Sequence, residues 1–233
     1  MSSLEGKLAL VTGASRGIGY FTAVELAKSG AHVIAIARTV GGLEELDDAI
    51  KAEGGSATLV PLDLCEHDSI DQLGASINER WGKLDAFVCN AAILPGLSPV
   101  DHADLKDFSK IMDTNFVASW RLIRSLAPLL QASEAGRAVF MTCEAATSNK
   151  PFWGAYAASK AALHSLALTW ASECEKSSIN VNLFDPGPMR TGLRARAMPG
   201  EDTNSLRQPK DAAAKILELV SPEFKENGLV VSL

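Results

Sequence analysis

Lys7-Leu8-Ala9-Leu10-Val11 runs without a break into Thr12-Gly13-Ala14-Ser15-Arg16-Gly17-Ile18-Gly19, and from there into a helical stretch reaching Ser29. The first segment is continuously apolar, as a strand covered on both faces requires. The glycines that follow let the backbone turn sharply and come close to a bound group. A helix that starts there offers its free N–H groups to an anion. The spacing is G-x-x-x-G-x-G rather than the commoner G-x-G-x-x-G. Glycines alone serve any turn. Between a strand and a helix they suit the pyrophosphate of a dinucleotide, with Gly13, Ser15, Arg16, Gly17, Ile18 and Gly19 as the residues facing it.

Outward from this turn the alternation repeats. Further strand-like runs are His32 to Ala37, Ala57 to Leu62, Leu84 to Cys89, Arg137 to Thr142, Asn180 to Phe184 and Leu229 to Ser232. Between them lie helical patterns over Leu43–Glu53, Ser69–Trp81, Leu105–Gln131, Tyr156–Glu175 and Asp211–Leu219. Such alternation predicts a three-layer αβα, doubly wound parallel sheet of about seven strands. No repeat or linker breaks it, so residues 1–233 are expected to form one domain. Two proline-bearing connections, Ile93–His102 and Pro186–Pro209, follow strand carboxyl ends, where open α/β sheets bind ligands. The second is a candidate lid, about residues 186–209.

The end of the second strand speaks to the cofactor. NAD enzymes place an acidic residue about 20 positions past the glycines, to bond the ribose 2′-hydroxyl. Here the stretch reads Ile36-Ala37-Arg38-Thr39, without a carboxylate. The planar fork of Arg38 suits a 2′-phosphate, and Arg16 is a second candidate clamp. The competing reading is two solvated surface arginines. NADP(H) is expected in preference to NAD(H).

Composition narrows the function classes. Apolar residues make up 47% and charged residues 21%, with a formal net charge of -6. An acidic balance disfavours nucleic acid as a partner. Cys65, Cys89, Cys143 and Cys174 are scattered, without metal-ligand spacing, and read as reduced thiols of a cytoplasmic protein. Met1 to Leu10 holds no apolar signal core, and no run reaches the ~18 apolar residues of a membrane span. No metal and no membrane association are expected.

Tyr156 and Lys160 stand i, i+4 on a predicted helix and so share a face. A phenol, with a pKa near 10, is a poor base at neutral pH. An ammonium at ~4 Å, with an effective dielectric of ~20, favours the phenolate by roughly 4 kcal/mol. That predicts a phenol pKa well below the ordinary value, and a proton exchanged with an alcohol or carbonyl oxygen while hydride moves. By spacing alone such a pair is more often structural.

Thr12–Gly19, Asp63-Leu64, Cys89-Asn90-Ala91-Ala92, Asn115, Tyr156-Ala157-Ala158-Ser159-Lys160 and Pro186-Gly187-Pro188-Met189-Arg190-Thr191 come in an order that resembles the short-chain dehydrogenase/reductase family over essentially the whole chain. The resemblance implies a Rossmann fold and an NADPH-dependent oxidoreductase that interconverts a small-molecule ketone or aldehyde with an alcohol. Tyr156 would be its acid/base. It also implies that Lys160 holds the nicotinamide ribose and that Asn115 positions a water leading to Lys160. Asp63 would contact adenine, Asn90 the adenosine ribose region, and Thr191 the carboxamide or a phosphate. Leu64, Ala91, Pro186 and Gly187 complete the expected cofactor site. Family members pair through the two long helices, which implies a homodimer or homotetramer. They carry a longer tail than one ending at Leu233, so a more open site is expected.

The match departs at one point. The family has a serine thirteen residues before the tyrosine, where its hydroxyl bonds the substrate oxygen, and here that position is Cys143. A thiol is a much weaker donor, and losing one good donor to a developing oxyanion costs about 10² to 10³ in rate. Several readings stay open: Thr142 supplies the hydroxyl, a weak donor suffices, activity is poor, or Cys143 is a redox switch. Poor activity keeps a rival function alive, a dinucleotide-binding sensor with weak catalysis. Ala92, where the family often has glycine, adds only a methyl. Arg190 and Arg194, i, i+4 in the candidate lid, either face an anionic substrate or form a solvated surface.

Overall fold

In the computed structural model, residues 4–233 are described; Met1 to Ser3, the start of the segment read for a signal, lie outside the described residues. Seven strands form one sheet in the order β3-β2-β1-β4-β5-β6-β7, and every pairing is parallel. They are β1 Leu8–Thr12, β2 His32–Ala37, β3 Ser56–Pro61, β4 Ala86–Cys89, β5 Gly136–Met141, β6 Ile179–Asp185 and β7 Val230–Ser232. The helices are α1 Gly17–Lys28, α2 Val40–Ala52, α3 His67–Trp81, α4 Leu105–Met112, α5 Ala118–Gln131, α6 Gly154–Glu173, α7 Gly192–Ala197 and α8 Pro209–Val220.

Successive strand side chains point to opposite faces, and here they feed two separate cores. Leu8 and Leu10 of β1, Ile34 and Ile36 of β2 and Phe140 of β5 pack with α3, α5 and α6. Their neighbours Ala9, Val11, Val33, Ala35 and Val139 pack with α1, α2 and α8. Both faces are therefore apolar, which explains why the strands read as unbroken apolar runs. The strand order reverses beside β1, whose neighbours are β2 and β4, and the carboxyl ends there open into a cleft.

Two expectations need correction. Leu105–Gln131 is two α-helices joined by a π-helical turn at Asp113–Val117. The extra residue of such a turn re-aims side chains, and Asn115 sits within it. The 186–209 connection also holds structure of its own: α7, a 3-10 turn at Thr203–Ser205 and a parallel bridge from Met189 to Arg207. Elsewhere, helix ends move by a few residues.

Candidate active site

The cleft encloses about 490 Å³ and reaches from Arg38 on the β2 side to Arg194 on α7. Of the residues singled out above, Gly13, Ser15, Arg16, Gly17, Ile18, Arg38, Asp63, Leu64, Asn90, Ala91, Cys143, Tyr156, Lys160, Pro186, Gly187 and Thr191 all line it. Gly19 and Asn115 do not; each stands behind the wall.

The β1–α1 turn is built by close approach. Gly13 has φ +67°, and a Cβ there would lie 2.9 Å from Asn90 Nδ2. At Gly19 a Cβ would lie 2.4 Å from the Gly13 carbonyl oxygen, so the third glycine is a packing requirement. Thr12 Oγ1 accepts the backbone N–H groups of Asn90 and Ala91 at 3.0 and 3.1 Å. Asn90 Nδ2 donates to the Thr12 carbonyl at 2.9 Å, so this side chain braces the turn from β4. The N-terminus of α1 has no side-chain cap and no acidic residue in its first turn. Its free N–H groups and positive dipole end face the cleft, which is the chemistry a pyrophosphate needs.

At the β2 end, Arg38 and Asp63 are 3.7 Å apart, both well exposed. Such a pair is worth about 0–1 kcal/mol, so Asp63 holds Arg38 only loosely. Arg16 is exposed on the same rim.

Around Tyr156 the polar groups are buried and mostly bonded to one another. Asn115, fully buried, accepts from the Ile93 N–H at 2.8 Å and donates to the Ile93 carbonyl at 3.1 Å. It also donates to Ser159 Oγ at 3.0 Å, and Ser159 donates in turn to the Tyr156 carbonyl at 2.8 Å. Asn115 thus ties the post-β4 loop to α6 at the turn bearing Tyr156. Lys160 Nζ donates to the Met141 carbonyl at 2.8 Å and lies 5.9 Å from the Tyr156 ring centre.

The expected Lys160-driven acidification of the phenol does not hold in this structure. Burial pushes the Tyr156 phenol well above its ordinary value, and the neighbouring Cys143 pushes the same way. Burial likewise holds Lys160 below the usual ammonium range. Desolvation of the charged form is the largest cause for both groups.

Cys143, on the segment after β5, packs against Tyr156 and is the side chain that most perturbs its hydroxyl. Thr142 also reaches the cleft, but its hydroxyl bonds His164 Nδ1 of α6 at 3.2 Å. The thiol, not that hydroxyl, meets the phenol.

Thr191 caps α7, accepting the Arg194 N–H at 3.3 Å. Arg194 is held by Glu201 through two bonds, 2.6 Å from Nε and 2.5 Å from an Nη. Arg190 precedes α7 and is exposed, so the two arginines share no helical face. Sequence reasoning did not single out Ser159, Asp185, Trp153 or Leu193, although the last three line the cleft. Asp185 accepts the Gly187 N–H at 2.8 Å and fixes the turn after β6. Ser159 sat inside the Tyr156–Lys160 segment, one residue before the lysine, and that neighbourhood was its only signal.

Among the described residues no helix is long and apolar enough to cross a membrane, and no cluster of metal-ligating side chains occurs. The four cysteines are free thiols.

The model of the short chain dehydrogenase family matches residues 7–202. The uncharacterized oxidoreductase YciK of Escherichia coli K12 is 33% identical over 225 residues, 95% of this chain and 89% of that protein. A short chain dehydrogenase from Shigella flexneri 2a, solved in complex with NADP, superposes with a TM-score of 0.94 at 32% identity, covering 99% of this chain and 98% of the other. One from Escherichia coli CFT073, in complex with NADPH, gives 0.93 at 32% identity with the same coverage. A seven-stranded parallel sheet, a glycine turn at its switch point and a family match across most of the chain lead to one conclusion: the chain belongs to the short-chain dehydrogenase family and is an oxidoreductase acting on CH–OH and C=O groups.

Proposed function

We propose that the chain is an NADPH-dependent carbonyl reductase in which Tyr156 delivers the proton. The observation that carries this reading is the buried Tyr156 hydroxyl, kept protonated by its surroundings at the wall of a cleft whose far end holds Arg38 and Arg16. A protonated phenol is a proton donor, which is what an oxygen needs as a carbonyl becomes an alcohol. Bound in the cleft, a nicotinamide would supply the hydride. Gly13, Ser15, Arg16, Gly17 and Ile18 would hold its pyrophosphate, Arg38 the 2′-phosphate, and Asp63 and Leu64 the adenine side. Lys160 sits beneath Tyr156 as the buried positive charge that stabilises negative charge developing on the phenolic oxygen. Cys143 stands beside the same oxygen and presents a weak donor.

NADP bound to the Shigella flexneri protein and NADPH bound to the Escherichia coli protein support the cofactor choice. The thiol at 143 favours one rival, a dinucleotide sensor with weak chemistry. Following NADPH oxidation over a panel of ketones and aldehydes separates the two. The reductase reading expects turnover that Tyr156→Phe abolishes while NADPH still binds; turnover that survives this change overturns it. Fluorescence titration should give NADPH a dissociation constant at least tenfold below that of NADH, and Arg38→Ala should narrow the gap. Residues 186–209 act in this reading as a lid within one catalytic domain. Assembly as a dimer or tetramer in the cytoplasm belongs to it too, with Trp120 exposed on α5 as a candidate contact, and light scattering checks the assembly.

A further inference from the structure

The half of the cleft beyond Tyr156 is chemically distinct from the nucleotide half. Leu94, Ala145, Tyr156 and Ala197 form a small apolar cluster separate from the two sheet cores, with Leu193 and Trp153 packed on it. These side chains come from the post-β4 loop, the post-β5 turn, α6 and α7; Leu94 and Ala197 are buried behind the wall, while Ala145, Trp153, Tyr156 and Leu193 line the cleft and give it an apolar wall beside the phenol. Trp153 is half-buried and stands at the start of the helix that carries the phenol. Its ring meets Tyr156 edge-on at 5.8 Å and 64°. Its carbonyl accepts the Ala157 N–H at 2.8 Å, opening α6. The residue before it, Phe152, has φ +71°, the one left-handed non-glycine among the described residues.

The charges at this end are already matched. Lys150 is bonded to Glu144, and Arg194 to Glu201 in a half-buried fork. Lys160 is committed to the Met141 carbonyl. Among the described residues, each cation lining this half therefore has a partner. A carboxylate or phosphate entering beside Tyr156 would have to displace the Glu201 fork from Arg194 or the Met141 carbonyl from Lys160; the more exposed Lys150–Glu144 pair holds its lysine only loosely.

We propose that the substrate is an uncharged carbonyl compound with an aromatic or branched aliphatic group next to the carbonyl, and that Trp153 is the residue selecting it. This rests on the reductase reading above. It disfavours the anionic substrate considered for Arg194.

The test compares an aryl methyl ketone with its para-carboxylate analogue, using wild type, Trp153→Ala and Trp153→Phe. Turnover with NADPH is measured beside binding of both ketones by saturation-transfer NMR. The neutral ketone should have at least a tenfold higher kcat/KM. Trp153→Ala should raise its KM about tenfold or more while leaving NADPH affinity nearly unchanged, and Trp153→Phe should restore most of the loss. Equal or better use of the carboxylate, or an unchanged KM in Trp153→Ala, overturns the proposal. Selective binding of the neutral ketone without turnover in any form would reject the reductase reading alone. Preferential binding of the carboxylate would reject only the substrate assignment.

Discussion

In the proposed reaction the thiol of Cys143, beside Tyr156, stands where the family resemblance implies a hydroxyl that steadies the substrate oxygen. Sulfur donates weakly, so reducing activity should gain from a better donor. Cys143→Ser is expected to raise kcat about tenfold or more, a fraction of the ~10² to 10³ that a full oxyanion donor is worth. Unchanged or lower turnover would count against a donor role for this position. The same pair sets the pH dependence. Burial holds the phenol protonated well above its ordinary value, and holds Lys160 below its own. Reduction needs the protonated phenol, so the acid form is the active one and activity falls as pH rises. A profile of kcat/KM for reduction should be flat through neutrality and decline only on the alkaline side. Tyr156→Phe serves as the baseline. A rise in reduction across pH 6–8 would show instead that a deprotonated group is required.

Single elements are secured by contacts that bridge long stretches of chain. α3 and α5 touch at Gly74, where a Cβ would lie 2.2 Å from the Ser125 carbonyl oxygen. The Gly74 N–H donates to Ser125 Oγ at 2.9 Å, so the crossing cannot open without losing that bond. Gly74→Ala should therefore destabilise by about 1–3 kcal/mol through overpacking, read as a lower urea midpoint with an unchanged slope. Asp85 does a comparable task for the strands. Its buried carboxylate accepts from the Leu8 N–H at 3.0 Å and Ser133 Oγ at 2.6 Å, with Lys83 and Lys7 at 3.3 and 3.6 Å. Burial works to raise this carboxyl, but the two hydrogen bonds and the lysine charges prevail and hold it below its usual value. A carboxyl with a lowered folded pKa contributes stability above its unfolded pKa, about 3.9, and loses it as pH falls through the folded value. Asp85→Asn should cost about 1.5–3 kcal/mol at neutral pH, and the difference from wild type should shrink at the acid end. Neither contact was legible in the sequence. Gly74 looks like an ordinary helical residue and Asp85 like a strand edge, because what constrains them lies 51 and 48 positions away. The π-helical turn at Asn115 was hidden for the same reason. Leu105–Gln131 has continuous helical periodicity, and the demand for the bulge comes from Ile93 and Ser159.

On the scale of the whole molecule, the cleft is assembled from the carboxyl ends of β1 to β6, and each contributes a short local segment. That is why so much of the wall could be read in advance. The glycine turn, Arg38, Asp63-Leu64, Asn90-Ala91 and Pro186-Gly187 each follow or flank a strand whose apolar run marks its position, and with Tyr156 and Lys160 of α6 they line one cavity. What stayed hidden was which side chains pair beside the cavity: Arg194 with Glu201, Thr142 with His164, and Trp153 against Tyr156. A ligand that spans such a cleft binds only when all these strand ends are in register, so its binding free energy adds to the stability of the whole sheet. At about 100 times its dissociation constant, NADPH should add about 2.7 kcal/mol. For a chain of this length that corresponds to a rise in Tm of about 5–10 °C, from roughly 2–4 °C per kcal/mol. NADH at the same concentration should give a smaller rise. In Arg38→Ala the two shifts should converge, while the Tm without cofactor stays within about 1–2 °C of wild type, since Arg38 makes only an exposed ion pair. Differential scanning fluorimetry of the two proteins with each cofactor measures all four values. Equal shifts with NADPH and NADH in the wild type would remove Arg38 as the phosphate-selecting residue.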